Sequence, residues 1–174
     1  MTKKQSPFYR VGNPSERVPE EVAYEAYLMV TIPFLIEVAS TYQGYVTYKQ
    51  YAEYLFRMTG ITTDWKYHSW PGWVLGMALD VCKRVGWPAL TATVVNQDTG
   101  LCGSGFGKWH AEAGVPTDGE VDQEELAARL RVQCYRRYAP DVPEDVEKFH
   151  TPIYYEDQAR QRRRAEREAR KQPV

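Results

Sequence analysis

Between Gly44 and Phe106 the apolar pattern changes period twice, and that change limits the folds open to the whole chain. Thr47 carries the side-chain oxygen of a helix N-cap. Tyr51, Ala52, Leu55 and Phe56 follow it at spacings that put them on one helical face. After a loop, Ser69 offers a second N-cap oxygen, and Pro71 suits a first turn, where its missing N–H would have been unpaired anyway. Val74, Leu75, Ala78, Val81 and Cys82 make the inner stripe of that second helix. From Leu90 to Val95 the run becomes β-branched, Asn96 to Gly100 is turn chemistry, and Leu101 to Phe106 supplies a return strand. Helix, loop, helix, hairpin is the order of a winged helix-turn-helix.

The flanks fit around that core. Residues 1–20 are polar, with Gly12, Asn13, Pro14 and Pro19, and are expected to form a flexible arm before a winged helix-turn-helix domain over 21–110. Val22 to Ala39 has helical spacing, but a proline inside a helix costs about 3 kcal/mol, so Pro33 predicts a kink or two short helices. A helical extension follows over 111–153. Its main helix runs from Asp122 to Tyr138, with acids in the first turn, arginines in the last, and Leu126, Leu130 and Cys134 inward. Pro143 starts a further short segment to about Phe149, and 154–174 is a basic helical or disordered tail. The expected class is mainly α with a small β hairpin, a winged helix-turn-helix core carrying N-terminal and C-terminal helical extensions.

With 174 residues the chain can bury a useful core without metals or disulfides. Cys82, Cys102 and Cys134 form no paired framework, and no apolar signal segment follows the opening Met-Thr-Lys-Lys, so a reduced, cytoplasmic protein is expected. The longest apolar run, Tyr27 to Ala39, is shorter than the roughly 20 residues of a membrane span and contains Pro33, so no membrane partner is expected. The formal net charge of −1 is unevenly placed: Arg160 to Lys171 holds six Arg and one Lys against two Glu, a local +5, leaving −6 elsewhere. An acidic body with a basic tail argues both for and against nucleic acid, because phosphate affinity comes from Lys and Arg at the contact surface.

The central residues also resemble a family. Gly-x-Val-Thr-Tyr-x-x-x-Ala from Gly44, then Val-Leu-Gly-x-Ala-Leu from Val74, then Val94-Val95 and a Gly-rich closure are similar to the DNA-binding domain of O6-alkylguanine-DNA alkyltransferases and alkyltransferase-like proteins, over residues 44–107. The resemblance implies that Tyr48 stands for the tyrosine that turns the target phosphate, and that Gly76 and Ala78 are the small residues of the recognition helix. Trp73 stands where the family has an arginine finger filling the gap left by a flipped base. Leu90, Thr91, Ala92 and Thr93 replace the family's Pro-Cys-His-Arg signature, so Thr91 occupies the acceptor-cysteine position. Alkyl transfer needs a thiolate activated by a neighbouring histidine, and neither is here, so the resemblance leaves a DNA-binding scaffold without transferase activity. The longer gap between the two helices departs from the family pattern.

The candidate DNA-binding residues are then Tyr48, Lys49 and Gln50 at a helix start, where amide groups and the helix dipole favour phosphate. Lys66, His68, Ser69, Trp70 and Trp73 lead into the second helix, whose first turns would enter the groove, with the two indoles either stacking on bases or packing internally. Lys108 follows the hairpin, and Arg162, Arg163 and Arg164 give the tail nonspecific affinity. The glycine-rich run from Gly100 to Gly107 lacks the Lys-Ser/Thr ending of a phosphate loop. His68, His110 and His150 are scattered and Asp145, Glu147 and Lys148 sit together on no predicted strand, so no catalytic residue, metal or cofactor is expected, with a metal-dependent nuclease as the minor enzyme reading. Double-stranded DNA is the expected partner; the alternative is a protein-interaction module, or an inhibitor of a nucleic-acid enzyme, acting through an aromatic surface and an acidic body.

Overall fold

A computed structural model describes residues 5–66, 69–103, 105–107 and 120–171. It is mostly helical with a small three-stranded antiparallel sheet. β1 (Phe8–Arg10) and β2 (Asn13–Val18) form a hairpin, with Gly12 in the left-handed region at its turn, and the other edge of β1 pairs with β4 (Ile61–Thr63), Phe8 opposite Thr63. The expected flexible arm is therefore a sheet from Phe8 onward. Phe8 explains it: the ring is fully buried and meets Tyr24, Tyr27, Trp65 and Trp70 edge-on. β2 is exposed along most of its length, so it carries no alternation for a sequence reading to detect.

α1 (Glu20–Ala39) is one helix rather than two short ones. Pro33 is exposed, and the carbonyl its missing N–H would have bonded belongs to Met29, which is 73 % exposed, so water can serve that group. The helix is apolar on all sides and, by length and composition, sufficient to cross a membrane, a signal that the Tyr27–Ala39 window understates. Its inner line, Ala23, Tyr27, Thr31, Leu35 and Ala39, recurs every four residues and packs on the next two helices. Tyr27 Oη donates to the Ile61 carbonyl at 3.1 Å, and the Thr31 and Tyr51 hydroxyls share a 2.7 Å bond.

α2 (Tyr48–Thr59) follows directly on β3 (Val46–Thr47). As the sequence predicts, Thr47 is its N-cap; the structure adds a capping box in which Thr47 Oγ1 accepts the Gln50 N–H and Gln50 Oε1 accepts the Thr47 N–H. Gly60 ends the helix in the left-handed region. α3 (Pro71–Arg84) starts on Trp70 and Pro71, and Ser69 does not cap it: its hydroxyl donates instead to the Lys66 carbonyl. Val74, Leu75, Ala78, Leu79 and Cys82 face inward, with Val81 half-buried.

The predicted hairpin is not formed. Leu90–Thr93 is a single 3-10 turn, and β5 (Val94–Val95) pairs in parallel with β3, Val46 beside Val94 and Thr47 beside Val95. After the Asn96–Gly100 turn, residues 101–103 are in no strand and 105–107 are helical. Every residue from Leu90 to Val95 is buried, so the run reflects burial on all sides and not the half-buried strand of a wing. α4 (Glu120–Tyr138) covers this turn. It buries Glu124, Ala127, Ala128, Arg131, Val132, Cys134 and Tyr135; of the predicted inner residues Cys134 is fully buried, while Leu126 and Leu130 are half-buried, Leu130 against Ala92, Phe106 and Ala127, so the inner face is wider than the predicted line. Residues 143–149 form no helix, and α5 (Pro152–Ala169), capped by the Thr151 hydroxyl, buries none of its side chains.

Candidate nucleic-acid interface

The sequence candidates divide by depth. Trp70, expected at the surface or in the interior, is fully buried, its indole stacked on Phe56 at 5.5 Å and tilted against Tyr27 at 5.0 Å. It cannot reach a base. Trp73, one turn on, is 67 % exposed, beside exposed Ser69 and Gly72 at the start of α3. Lys66 is exposed in the approach to that helix, while His68 and Lys108 lie outside the described residues. Lys49 and Gln50 are exposed on the first turn of α2; Lys49 forms a 3.9 Å surface pair with Glu53, and the Gln50 amide is occupied by the capping box. That pair is solvated and weak, so Lys49 remains free to exchange it for another anion.

Tyr48 is not a surface phosphate ligand either. Its ring turns inward, its hydroxyl oxygen accepts the Gly103 N–H at 3.0 Å, and burial holds its pKa above the ordinary tyrosine value, so the phenol keeps its proton. A Cβ on Gly103 would collide with that hydroxyl, so any larger residue there would have to displace the Tyr48 side chain. With its oxygen engaged as acceptor, the phenolic proton is left to donate. It lines a cavity of about 350 Å³ walled by the first two turns of α3, through Gly72, Leu75, Gly76 and Leu79, and on the other side by Thr91, Cys102 and Phe106.

Thr91 is the most informative residue in that wall. It is 4 % exposed and its Oγ1 has no hydrogen-bond partner among the described residues. An unpaired buried hydroxyl costs about 1–3 kcal/mol, and a ligand that pairs with it recovers that amount. Cys102 is the neighbouring thiol. Burial pushes it up to about 11, and the Arg131 guanidinium, with Nη2 at 3.5 Å from the sulfur, only partly opposes this. The cavity thus holds a thiol without a thiolate, unsuited to nucleophilic attack.

Behind the wall stands a side chain that hydropathy gave no reason to place inside. Arg131 is fully buried on α4: Nε donates to the Ala92 carbonyl at 2.7 Å, Nη1 to Glu124 at 2.6 Å and to the Phe149 carbonyl at 3.1 Å. Burial alone would lower its pKa, but the Cys102 sulfur and the Glu124 carboxylate reverse that, so the guanidinium stays charged. His150 extends the cluster, its two ring nitrogens each 3.1 Å from a carboxylate oxygen, of Glu124 and of Glu125, and Lys148 bonds Glu125 at 2.9 Å. The sequence signal for this cluster was the spacing of Glu124 and Arg131, two turns apart on the line of Ala127, Ala128 and Tyr135. Asp145 and Glu147 stay exposed in the loop, apart from any strand, and among the described residues no group of three His, Cys, Asp or Glu side chains is arranged to hold a metal ion.

The tail is a helix rooted beside the cavity. Asn96 and Thr99 of the turn line the cavity, Arg160 bonds the Asp98 carbonyl of that turn, and Gly100 lies against Thr151 and Tyr154 with no room for a Cβ. Arg162, Arg163 and Arg164 are exposed on that helix. Compared with known proteins, the chain matches no family model, no curated protein and no solved structure.

Proposed function

We propose that this chain is a non-catalytic double-stranded DNA-binding protein in which α2 and α3 act as a helix-turn-helix without a wing, and the cavity beside them receives a base extruded from the duplex. The observation that carries this reading is the cavity itself: a 350 Å³ space walled by α3, whose lining holds a Thr91 hydroxyl with no partner among the described residues, while the same helix exposes Trp73 outside that lining. An aromatic side chain wedged into the stack offsets the loss of the extruded base, and a pocket with one unmet hydrogen bond gives that base a polar anchor. The two stretches that carry the family resemblance, around Val46-Thr47-Tyr48 and Val94-Val95, are those joined by the parallel pair next to this cavity. By that resemblance an O6-alkylated guanine is the first base to try.

The test is a duplex mobility shift across a salt series, with and without one modified guanine. Affinity is expected to fall steeply with salt and to rise with the modification; no binding at low salt would end the proposal. Trp73→Ala is expected to weaken binding about tenfold, the order of one base stack, with thermal stability unchanged. Unchanged affinity would make Trp73 an idle surface residue.

A second reading, a protein-interaction module, is favoured by Val22 and Met29, which α1 leaves 45 % and 73 % exposed. Pull-down after nuclease treatment tests it, since a protein partner persists once nucleic acid is gone.

A further inference from the structure

We infer that α5 is a one-sided phosphate rail, a rigid continuation of the cavity face that lies along a duplex backbone, and not a loose basic tether. The inference rests on the DNA-binding reading above and adds to it which cations touch the duplex and in what orientation. At 3.6 residues per turn, Arg160, Arg163, Arg164 and Arg167 fall on one side of the helix, and Arg162 falls on the opposite side with Gln158, Ala165 and Ala169. Arg162, the first of the three consecutive arginines, is therefore the one that does not belong to the stripe.

The direction of the stripe is fixed at its root. Arg160 reaches the Asp98 carbonyl, so the side of α5 that carries the stripe is the side turned toward the Asn96–Gly100 turn, and Asn96 and Thr99 of that turn line the cavity. Thr151 caps the helix, and its hydroxyl also lies 3.5 Å from the Gly100 carbonyl. Beyond Arg160 the helix buries nothing, so the remaining arginines face solvent. Their local partners are weak: Arg164 pairs with exposed Glu168 at 3.1 Å, and Arg163 Nε donates to the Ala159 carbonyl. From Arg160 to Arg167 the stripe spans roughly 10 Å at 1.5 Å per residue, and each strand of a duplex carries one phosphate per about 3.4 Å of axis, so about three phosphates of one strand fall within its reach. A polyanion of regular spacing is the partner this charge pattern complements.

The experiment measures duplex affinity by fluorescence anisotropy across a salt series, using the full chain and variants whose helix content is verified by circular dichroism. The triple variant Arg163→Gln, Arg164→Gln, Arg167→Gln should reduce the slope of log affinity against log salt by about 0.9 per arginine, while Arg162→Gln leaves it unchanged. Insertion of two alanines after Gln161 keeps every charge and turns the following residues by about 200°, and it should lower the slope nearly as far as the triple variant. The rail is overturned if Arg162→Gln acts like Arg163→Gln, or if the insertion has no effect, since a flexible tether ignores helical phase. It is also overturned if polyglutamate competes with duplex as well as a second duplex does, which would mark an acidic protein as the partner. Loss of the rail alone leaves parental duplex binding measurable, whereas a parent that fails to bind duplex at low salt removes the DNA-binding reading and the rail together.

Discussion

Two clusters hold this protein around its cavity, and they are made of opposite materials. On one side, Trp70, Tyr27, Phe56 and Phe8 pack ring against ring with Trp70 fully buried. On the other, the Arg131–Glu124 ion pair lies buried under the 3-10 turn, with the His150 ring hydrogen-bonded to the same carboxylate. The aromatic cluster fills volume and tolerates any geometry that keeps it dense. The ionic cluster must satisfy each donor, because an unpaired buried charge costs several kcal/mol, and it therefore fixes position as well as stability. The difference assigns roles: rings support the α3 tip, and the guanidinium holds the Ala92 carbonyl, adjacent to Thr91, in place.

The largest effect expected on either side is at Trp70. Trp70→Ala should destabilise by about 3–5 kcal/mol in denaturant unfolding, as for other large-to-small changes in a core. Arg131→Met should cost about 3–5 kcal/mol, because it removes one partner of a buried ion pair and leaves the other behind, and adding Glu124→Leu should recover most of it. Failure of that double variant to recover would mean that the Ala92 and Phe149 carbonyls, not the ion pair, carry the contribution of Arg131. Thr91→Val, the smallest change, should stabilise by about 1–3 kcal/mol, since it removes a buried hydroxyl that has no partner among the described residues.

Cys102 sharpens the comparison without a mutation. With its thiol near 11, the thiolate is about one part in ten thousand at pH 7, and labelling by iodoacetamide should rise about tenfold per pH unit toward 11. Mass spectrometry of the labelled peptide checks this; native labelling at the unfolded rate at pH 7 would show that the ionic cluster does not close the cavity wall.

Which parts were legible in sequence follows from the same contrast. α2 and α3 were readable because their apolar residues recur at helical spacing, and Thr47 announced its cap. The hairpin reading failed at Leu90–Val95 because a run buried on all sides looks like a strand whether or not it pairs as one. The arm was misjudged because, among the described residues, Phe8 and Val18 alone anchor it in the core, and the inner face of α4 was read too narrowly because a buried arginine counts as surface in any hydropathy pattern. Of the candidate interface, the sequence left both indoles open between surface and interior, and the structure exposes Trp73 while turning Trp70 and Tyr48 inward; Thr91 was known only as a position in a register and not as a hydroxyl in need of a partner.

The parallel pairing of β3 with β5 has a consequence for how this chain tolerates change. Four residues clasp the two ends of a closed loop that contains both central helices. Closing such a loop becomes harder only with the logarithm of its length, about 0.6 kcal/mol for each doubling. Extra residues between the helices are thermodynamically cheap as long as the clasp keeps its register. A one-residue slip of that clasp would move the Thr47 cap and the 3-10 turn in opposite senses at once.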